Sequence, residues 1–284
     1  MENVLSVDVE NWYNRKLFIN QHEKLKNISQ YDQIKKSMDY TLNIFKKYKK
    51  TTTFFVLGEV AEKYPEIIEK ISDDGHEIGL HGYSHIDLKN LTISQFKNDL
   101  KKSVNIIYRI IKEKPKGFRA PNFSLKKNHG WVLKTLARNN FLYDSSIFPS
   151  NVHFVHSYRA KPYIYFPSFH CPFLEDTNQS KIIEFPLLTR KILFWRLPIA
   201  GGFYLRIFGS NLLINSIKIM NKQGYPAMCY IHPWEIYGFP KIELSIFKKI
   251  FGYYNIPCNK LFEHLIKNIS INPAIEILKK YEFI

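Results

Sequence analysis

Short apolar strands alternate with amphipathic helices along the first half of the chain, and this alternation restricts the possible folds more than any other feature. Residues 4–10 and 51–57 have the apolar, β-branched character of buried strands, and residues 31–50 between them show helical periodicity. A helix over residues 60–72 then precedes a short strand that leads to His81. Strands and helices in this order are typical of βαβ units, so we predict an α/β fold with a parallel sheet or barrel.

The remainder of the chain contains further helices and a long irregular segment. Thr92 opens a helix with the pattern of a capping box. The segment at about residues 147–198 is rich in Pro, Phe and Tyr, so we expect an elaborated loop over the barrel mouth. Residues 208–220 and about 261–284 show amphipathic helical patterns that would close the outside. A chain of 284 residues with 45% apolar side chains can bury a large core, and its length fits one large α/β domain or two small ones. We expect a single domain over residues 1–284.

The chain is strongly basic, with 41 Lys and Arg against 25 Asp and Glu and a net charge of +16. Such a charge suits an anionic partner such as nucleic acid, a phosphorylated glycan or the inner face of a membrane. Much of it is Lys in helical stretches such as residues 46–50, where solvated helix faces explain it. We therefore expect no nucleic-acid partner; such a binder would show strongly salt-dependent affinity for DNA.

The cysteine spacing and the start of the chain bear on its location. Cys171, Cys229 and Cys258 are far apart in the sequence, so we expect no disulfide framework. The first residues lack the features of a signal peptide, and no apolar run reaches the roughly 20 residues of a membrane span. We expect a cytoplasmic protein, with membrane contact limited to peripheral association at the inner face.

The motif HGYSH places two histidines, His81 and His85, directly after a short strand. Two histidines four residues apart lie on one face of a helical turn and can direct ring nitrogens at one cation. The chain has ten histidines, so such a pair also arises by chance. Its position at the carboxyl end of a strand, where α/β folds hold their active sites, favours a metal site that needs a third ligand.

Other polar side chains end predicted strands. Asp8 and Glu10 end the first strand, and because they are two residues apart we expect them to share a face. Arg119 and Asp144 stand at later strand ends. Solvated acids at an edge strand, or an arginine that only caps a barrel strand, are the alternatives to a catalytic role.

The succession of DVE at residues 8–10, GHEIGLHGYSH, GFRAP, YDSS and HPWE at residues 232–235 resembles the polysaccharide deacetylase (NodB homology) family, carbohydrate esterase family four. The resemblance covers nearly the whole chain. It is strongest to the branch found in exopolysaccharide gene clusters, which also has a glycine-rich segment before an FRL-like stretch, here residues 200–206. The resemblance implies a distorted (β/α)7 barrel of the NodB-homology type.

The resemblance also implies roles for the strand-end residues. His81 and His85 would bind a divalent metal, with Asp8 as the general base and Arg119 holding Asp8 ionised and oriented. His232 would be the general acid, tuned by Asp144. Family members commonly have two adjacent acids at the first strand, whereas Val9 separates the two acids here. Glu10 is the predicted third ligand.

Several other residues have two possible interpretations. Asn122 follows the proline of GFRAP, where a tyrosine is common in the family, and its backbone amide could serve an oxyanion. Trp234 and Glu235 could form a substrate wall or only pack. The remaining candidates lie in the segment after residue 147, where the histidines are expected to be loop residues and the tyrosines could stack on sugar rings or on the core: His153, His156, His170, Tyr158, Tyr163 and Tyr165.

These expectations together predict a metal-dependent amidohydrolase, with zinc as the expected metal. It would remove an N-acyl group, preferably acetyl, from a nucleotide-linked, lipid-linked or oligosaccharide amino sugar in surface polysaccharide or glycolipid biosynthesis. A deformylase acting on a formamido sugar is the nearest alternative. A non-catalytic glycan- or membrane-surface-binding protein is the alternative of another class. The sequence leaves the oligomeric state open.

Overall fold

The computed structural model describes residues 1–14, 31–152, 160–176, 181–238 and 257–284. In this part of the chain, seven parallel strands form a curled sheet with the order β6-β5-β4-β3-β2-β1-β9, and two antiparallel strands form a separate hairpin. The strands are β1 (Val4–Val9), β2 (Thr53–Val56), β3 (Glu77–Leu80), β4 (Gly117–Phe118), β5 (Tyr143–Asp144), β6 (Ile183–Glu184), β7 (Thr189–Ile192), β8 (Trp195–Pro198) and β9 (Met228–Ile231). The predicted α/β fold with a distorted (β/α)7 barrel is confirmed.

Helices cover the outside of the sheet and follow most of its strands. The predicted capping box is present, since the Gln95 backbone N–H donates to Thr92 Oγ1 (3.2 Å) and the Thr92 N–H donates to Gln95 Oε1 (2.8 Å). The α-helices are Tyr31–Lys47, Gly58–Lys63, Pro65–Asp73, Ile93–Ile111, Gly130–Arg138, Gly202–Lys222, Pro233–Tyr237, Asn259–Asn268 and Ala274–Lys280. Short 3-10 helices lie at Trp12–Asn14, Leu88–Asn90 and Pro121–Phe123. In the described residues, no helix is both long and apolar enough to cross a membrane.

The first strand lies inside the sheet and organises it. All six residues of β1 are buried, because it pairs with β2 on one side and β9 on the other. Val7, for example, is in register with Phe54 on β2 and with Ile231 on β9. A strand that is buried on both faces has a continuous apolar character rather than an alternating one, as this sequence does. The hydrophobic core therefore surrounds β1 and holds its carboxyl end in place.

One later region differs from the sequence-based expectation, and another agrees with it. The elaborated loop expected at about residues 147–198 contains β6 and the β7–β8 hairpin. A two-residue strand such as β6 is too short to show periodicity. The C-terminal region at about residues 261–284 forms helices, as expected, here two of them. Between the two helices, the Asn3 N–H donates to Ser270 O (2.9 Å) and the Asn272 N–H donates to Asn3 O (3.0 Å). The chain between the two helices thus lies against the start of β1.

The close packing at Gly130 gives a test of the fold. A Cβ at this position would lie 1.7 Å from Phe169 O, so Gly130→Ala forces the backbone of the 160–176 segment away from the helix. We expect a loss of about 1–3 kcal/mol in the free energy of unfolding, measured by chemical denaturation. Lys134→Ala, at an exposed position of the same helix, is the matched control and should change stability by at most about 0.5 kcal/mol. Equal stabilities of the two variants would contradict this packing.

Candidate active site at the carboxyl ends of the strands

The strand-end side chains singled out in the sequence converge at one edge of the sheet. Parallel strands end at a common edge, and in α/β folds the ligand crevice lies outside it. Asp8 and Glu10 come from the end of β1, His81 from β3, Arg119 from β4 and His232 from β9. His232 is partly accessible, and the other four are buried. The arrangement is a set of ionisable groups largely withdrawn from water, which requires each charge to be paired.

Arg119 supplies the pairing for Asp8. Its Nη1 lies 2.6 Å from Asp8 Oδ1 and 2.8 Å from Ser6 Oγ. Its Nε donates to Ser145 O (3.0 Å), its Nη2 donates to Ser145 Oγ (2.9 Å), and the guanidinium lies 4.1 Å from the centre of the Phe55 ring. A buried ion pair is stable when further hydrogen bonds satisfy the remaining polar atoms, and these contacts supply them. Asp8 is thereby held in a defined orientation.

Glu10, His81 and His85 form a cluster whose ligand atoms all lie within 4.8 Å of one another. His81 Nδ1 lies 2.8 Å from Arg119 O. Because a carbonyl only accepts, Nδ1 carries the hydrogen and Nε2 is left with its lone pair for a metal. Arg119 therefore orients Asp8 through its side chain and His81 through its backbone carbonyl.

The donors of this cluster fit a divalent cation. Burial and the neighbouring His85 lower the pKa of His81 to about 3, so its imidazole is neutral as a metal ligand must be. Burial alone would raise the pKa of Glu10, but His85 and His232 outweigh it and hold that pKa below its ordinary value. Glu10 Oε2 is buried and lies 2.5 Å from His85 Nε2, yet it has no partner with hydrogen-bond geometry in the described residues. Two histidines and a carboxylate are a familiar zinc ligand set.

The structure corrects the expected geometry of HGYSH. Residues 81–85 are a loop and not a helical turn. Gly82 and His85 have left-handed φ angles of +79° and +60°, and the N–H groups of Gly58 and Glu59 donate to Gly82 O and Tyr83 O (2.9 Å each). Backbone hydrogen bonds from the start of the earlier helix Gly58–Lys63 replace helical hydrogen bonds within the loop. The sequence of the loop alone could not reveal these contacts.

The expected alternation at the end of β1 is also modified. β1 ends at Val9, and the Glu10 N–H donates to Asp8 O (3.1 Å). A tight turn therefore directs Glu10 towards the histidines, whereas Asp8 points to Arg119 from within the strand. The two acids therefore have separate partners, although their spacing alone predicts a shared face.

His232 has a carboxylate partner in its own motif. Its Nδ1 lies 2.8 Å from Glu235 Oε2, and its backbone N–H donates to the same oxygen (3.1 Å). Arg206 Nη2 holds the other oxygen of Glu235 (2.8 Å), and Trp234 stacks on the imidazole with ring centres 4.8 Å apart. His232 Nε2 points to Glu10 Oε1 at 3.2 Å. Burial opposes protonation, but Glu10 and Glu235 raise the pKa of His232 above its ordinary value.

The expected pairing of Asp144 with His232 is wrong. Asp144 accepts a hydrogen bond from Ser146 Oγ (2.6 Å) and pairs in register with Glu184 on β6. Burial raises the pKa of both carboxyl groups, that of Glu184 well above its ordinary range. Glu235 was the missed partner of His232. Its spacing of three residues was the available signal, whereas nothing in the sequence around Glu184 indicated its role.

The other candidates have structural partners or lie elsewhere. The Asn122 side chain donates to Asp87 Oδ1 (2.7 Å). Tyr165 is buried, with its hydroxyl donating to Pro172 O (2.7 Å), and Tyr163 stacks on Tyr225 at 4.5 Å. His170 is exposed, as expected of a loop residue. Trp234 is buried and packs on the His232 imidazole. Three candidates lie outside the described residues: His153, His156 and Tyr158.

Two family models match the chain in succession. Residues 23–140 match the polysaccharide deacetylase model, and residues 145–279 match a domain of unknown function. The first match contains the HGYSH loop and Arg119, and the second contains the hairpin, Arg206 and the HPWE motif.

Curated relatives align with part of the chain. A peptidoglycan-N-acetylglucosamine deacetylase of Bacillus cereus is 35% identical over 108 residues, which cover 37% of this chain and 38% of the relative. Chitin deacetylase 1 of Saccharomyces cerevisiae is 32% identical over 105 residues, covering 37% and 35%. The chain thus spans little more than a third of the length of the curated relatives it matches.

Solved structures share the fold over nearly the whole chain. A candidate polysaccharide deacetylase from Mycobacterium smegmatis superposes with a TM-score of 0.68 at 16% identity, covering 99% of this chain and 90% of that one. A protein of Bacillus anthracis described as a family-four pseudoenzyme has a TM-score of 0.51 at 13% identity, covering 98% and 65%. At these identities the likeness concerns the fold.

The ligand cluster predicts that the protein binds a metal ion and that substitution of Glu10 or His85 weakens this binding. We expect the protein reconstituted with zinc to bind about one equivalent, and Glu10→Ala or His85→Ala to weaken binding by more than the roughly 10–100-fold typical of an outer-shell change. Elemental mass spectrometry of the dialysed proteins measures the retained metal. His170→Ala, an exposed histidine away from the cluster, is the control and should retain it. A parent protein without zinc, or retention in both variants, would exclude this metal centre.

Proposed function

We propose that this chain, which belongs to the polysaccharide deacetylase family, is a metal-dependent N-deacetylase of an amino sugar in surface polysaccharide or glycolipid biosynthesis. The observation that carries the proposal is the convergence of three units in one largely buried site: the cluster Glu10, His81 and His85, the Asp8–Arg119 pair, and His232 with its carboxylate. A base, an acid and a ligand set at the same strand ends are what amide hydrolysis requires.

The metal cluster and Asp8 would have different roles when water attacks the amide: the cluster would act on the acyl carbonyl, and Asp8 on the water. A divalent cation, with zinc as the first candidate, held by Glu10, His81 and His85 would polarise the acyl carbonyl. Asp8 takes the proton of the attacking water, in the orientation that Arg119 fixes. The water oxygen becomes bonded to the acyl carbon.

His232 completes the reaction by protonating the leaving nitrogen. Glu235 accepts the Nδ1 hydrogen, so Nε2 is the atom that faces the site and delivers the proton. As the carbon–nitrogen bond breaks, the proton passes to the nitrogen, and the products are an amine and a carboxylate. The raised pKa of His232 keeps the acid protonated at a pH where an ordinary histidine would have lost its proton.

The substrate class is a further part of the proposal. The names of the relatives point to N-acetylated glycans. The net charge of +16 supports an anionic carrier, such as a diphosphate-linked amino sugar at the cytoplasmic face. A formamido sugar fits the same chemistry. Parallel measurement of acetate and formate release from matched N-acetyl and N-formyl sugars decides between the two acyl groups.

Asp8→Asn tests the base. We expect the zinc-loaded variant to release acetate from N-acetylglucosamine oligosaccharides and UDP-N-acetylglucosamine about 10²–10⁴-fold more slowly than the parent, because the proton acceptor is lost while the ligands remain. Metal content measured in parallel should be unchanged. Asp73→Asn, at an exposed carboxylate, is the matched control with parental activity. Unchanged hydrolysis in Asp8→Asn, or no acyl release by the metal-loaded parent from either substrate or from its formyl analogue, would refute the proposal.

Glu235→Gln tests the acid through the pH profile. A general acid is active while protonated, so activity falls as the pH rises through its pKa. Glu235 raises the pKa of His232 from outside the metal cluster, and its neutralisation should move the alkaline limb of kcat/KM to lower pH. Asp144→Asn should leave that limb in place, since Asp144 pairs with Ser146 and Glu184. The opposite pattern would restore Asp144 as the tuning residue.

A further inference from the structure

The β7–β8 hairpin presents four consecutive large apolar side chains to solvent. Ile192, Leu193, Phe194 and Trp195 are 44%, 79%, 88% and 58% exposed, although one such residue alone would be unremarkable. A contiguous exposed apolar patch marks an interaction site. The two strands of the hairpin form a sheet of their own, so these four side chains do not belong to the main sheet and its hydrophobic core.

The turn of this hairpin has an unusual composition. Ile192 pairs with Trp195, so Leu193 and Phe194 form the two-residue connection. Such turns favour Asn and Gly because their backbone needs positive φ angles, and Leu193 adopts a φ of +54°. A bulky apolar residue in that conformation is unfavourable for the turn itself. Its presence indicates that the side chain serves something outside the hairpin.

The tip is held in a defined position rather than folded back on the protein. Asn151 Nδ2 donates to Phe194 O (2.8 Å), the Arg196 N–H donates to Asn151 Oδ1 (2.6 Å), and Ser150 Oγ donates to Arg196 O (2.6 Å). At its base, the Tyr230 N–H donates to Ala200 O (2.9 Å). The hairpin therefore emerges beside β9, the strand that leads to His232.

The charged residues of the hairpin itself are all basic. Arg190, Lys191 and Arg196 flank the apolar residues, and Lys191 is exposed. The sequence has no Asp or Glu between Glu184 and Glu235. A solvated protein surface normally has mixed charges, so an apolar tip within a stretch of sequence that has basic residues and no acids points to a partner that is both apolar and anionic.

We propose that the β7–β8 hairpin is a membrane-docking element whose tip, Leu193, Phe194 and Trp195, enters the interface of a bilayer with anionic headgroups. Aromatic and aliphatic side chains at the boundary of headgroups and acyl chains, with cations at the phosphates, are the pattern of interfacial binding. A stable protein interface buries about 800 Å² on each partner, far more than a two-residue turn offers, whereas a fluid bilayer encloses a narrow tip. The docking does not depend on the proposed catalysis.

Sedimentation of the full chain with lipid vesicles tests the docking. We expect binding to vesicles of phosphatidylcholine with about 30% phosphatidylglycerol, weaker binding to phosphatidylcholine alone, and weaker binding at high salt. Leu193→Ser with Phe194→Ser should lower the partition coefficient by about tenfold or more, because two large apolar groups no longer leave water. Ile93→Ser, 48% exposed on the helix Ile93–Ile111, is the matched control and should bind as the parent does.

A spectroscopic measurement on a conservative variant makes the test independent of any folding defect in the double variant. Brominated acyl chains should quench tryptophan fluorescence of the parent, and Trp195→Phe should lose most of that quenching while still binding vesicles. Equal binding by the double variant, an equal loss in Ile93→Ser, or unquenched Trp195 would overturn the proposal. Self-association without lipid that the double variant abolishes would instead assign the tip to a second copy of the chain.

Discussion

The buried guanidinium of Arg119 is the group on which the rest of the site depends. It neutralises Asp8 at the end of β1, and its carbonyl accepts from His81 at the end of β3. A guanidinium without its carboxylate would be a charge in the core, and a carboxylate without its guanidinium would be another, so neither can be exchanged alone without a large cost. The core around β1 and the hydroxyls of Ser6 and Ser145 complete this arrangement.

The site keeps its carboxylates distinct by giving each a different partner. Asp8 lies against Arg119, Glu10 lies among histidines, and Glu235 is held between Arg206 and His232. Like charges at such proximity would otherwise raise one another's pKa values. One strand end thus carries two carboxylates with different partners, since the turn at Glu10 separates their directions.

The sequence predicted those parts of the site that depend on where strands end. Asp8 and Arg119 are 111 positions apart, yet both end strands of one parallel sheet, and the predicted contact is present. The helical turn at His81 and His85 was wrong, because contacts to residues 58–59 shape that loop. Asp144 was misassigned for a related reason: its partner Glu184 lies on a strand too short to leave a periodic pattern.

His232 and its partner Glu235 lie one helical turn apart at the start of the helix Pro233–Tyr237. The imidazole and the carboxylate bonded to it belong to one short piece of backbone, and Arg206, from the helix Gly202–Lys222, binds that carboxylate. A Cβ on Gly202 would lie 2.3 Å from Glu235 Oε2, so glycine is what lets the start of that helix lie so close to the same carboxylate. Residues 202–235 thus hold together the groups that would deliver the proton in the proposed reaction. The barrel closes beside this segment, since Leu187, just after β6, pairs with Met228 of β9. The buried Asp144–Glu184 pair therefore occupies the edge of the sheet that adjoins the strand leading to His232.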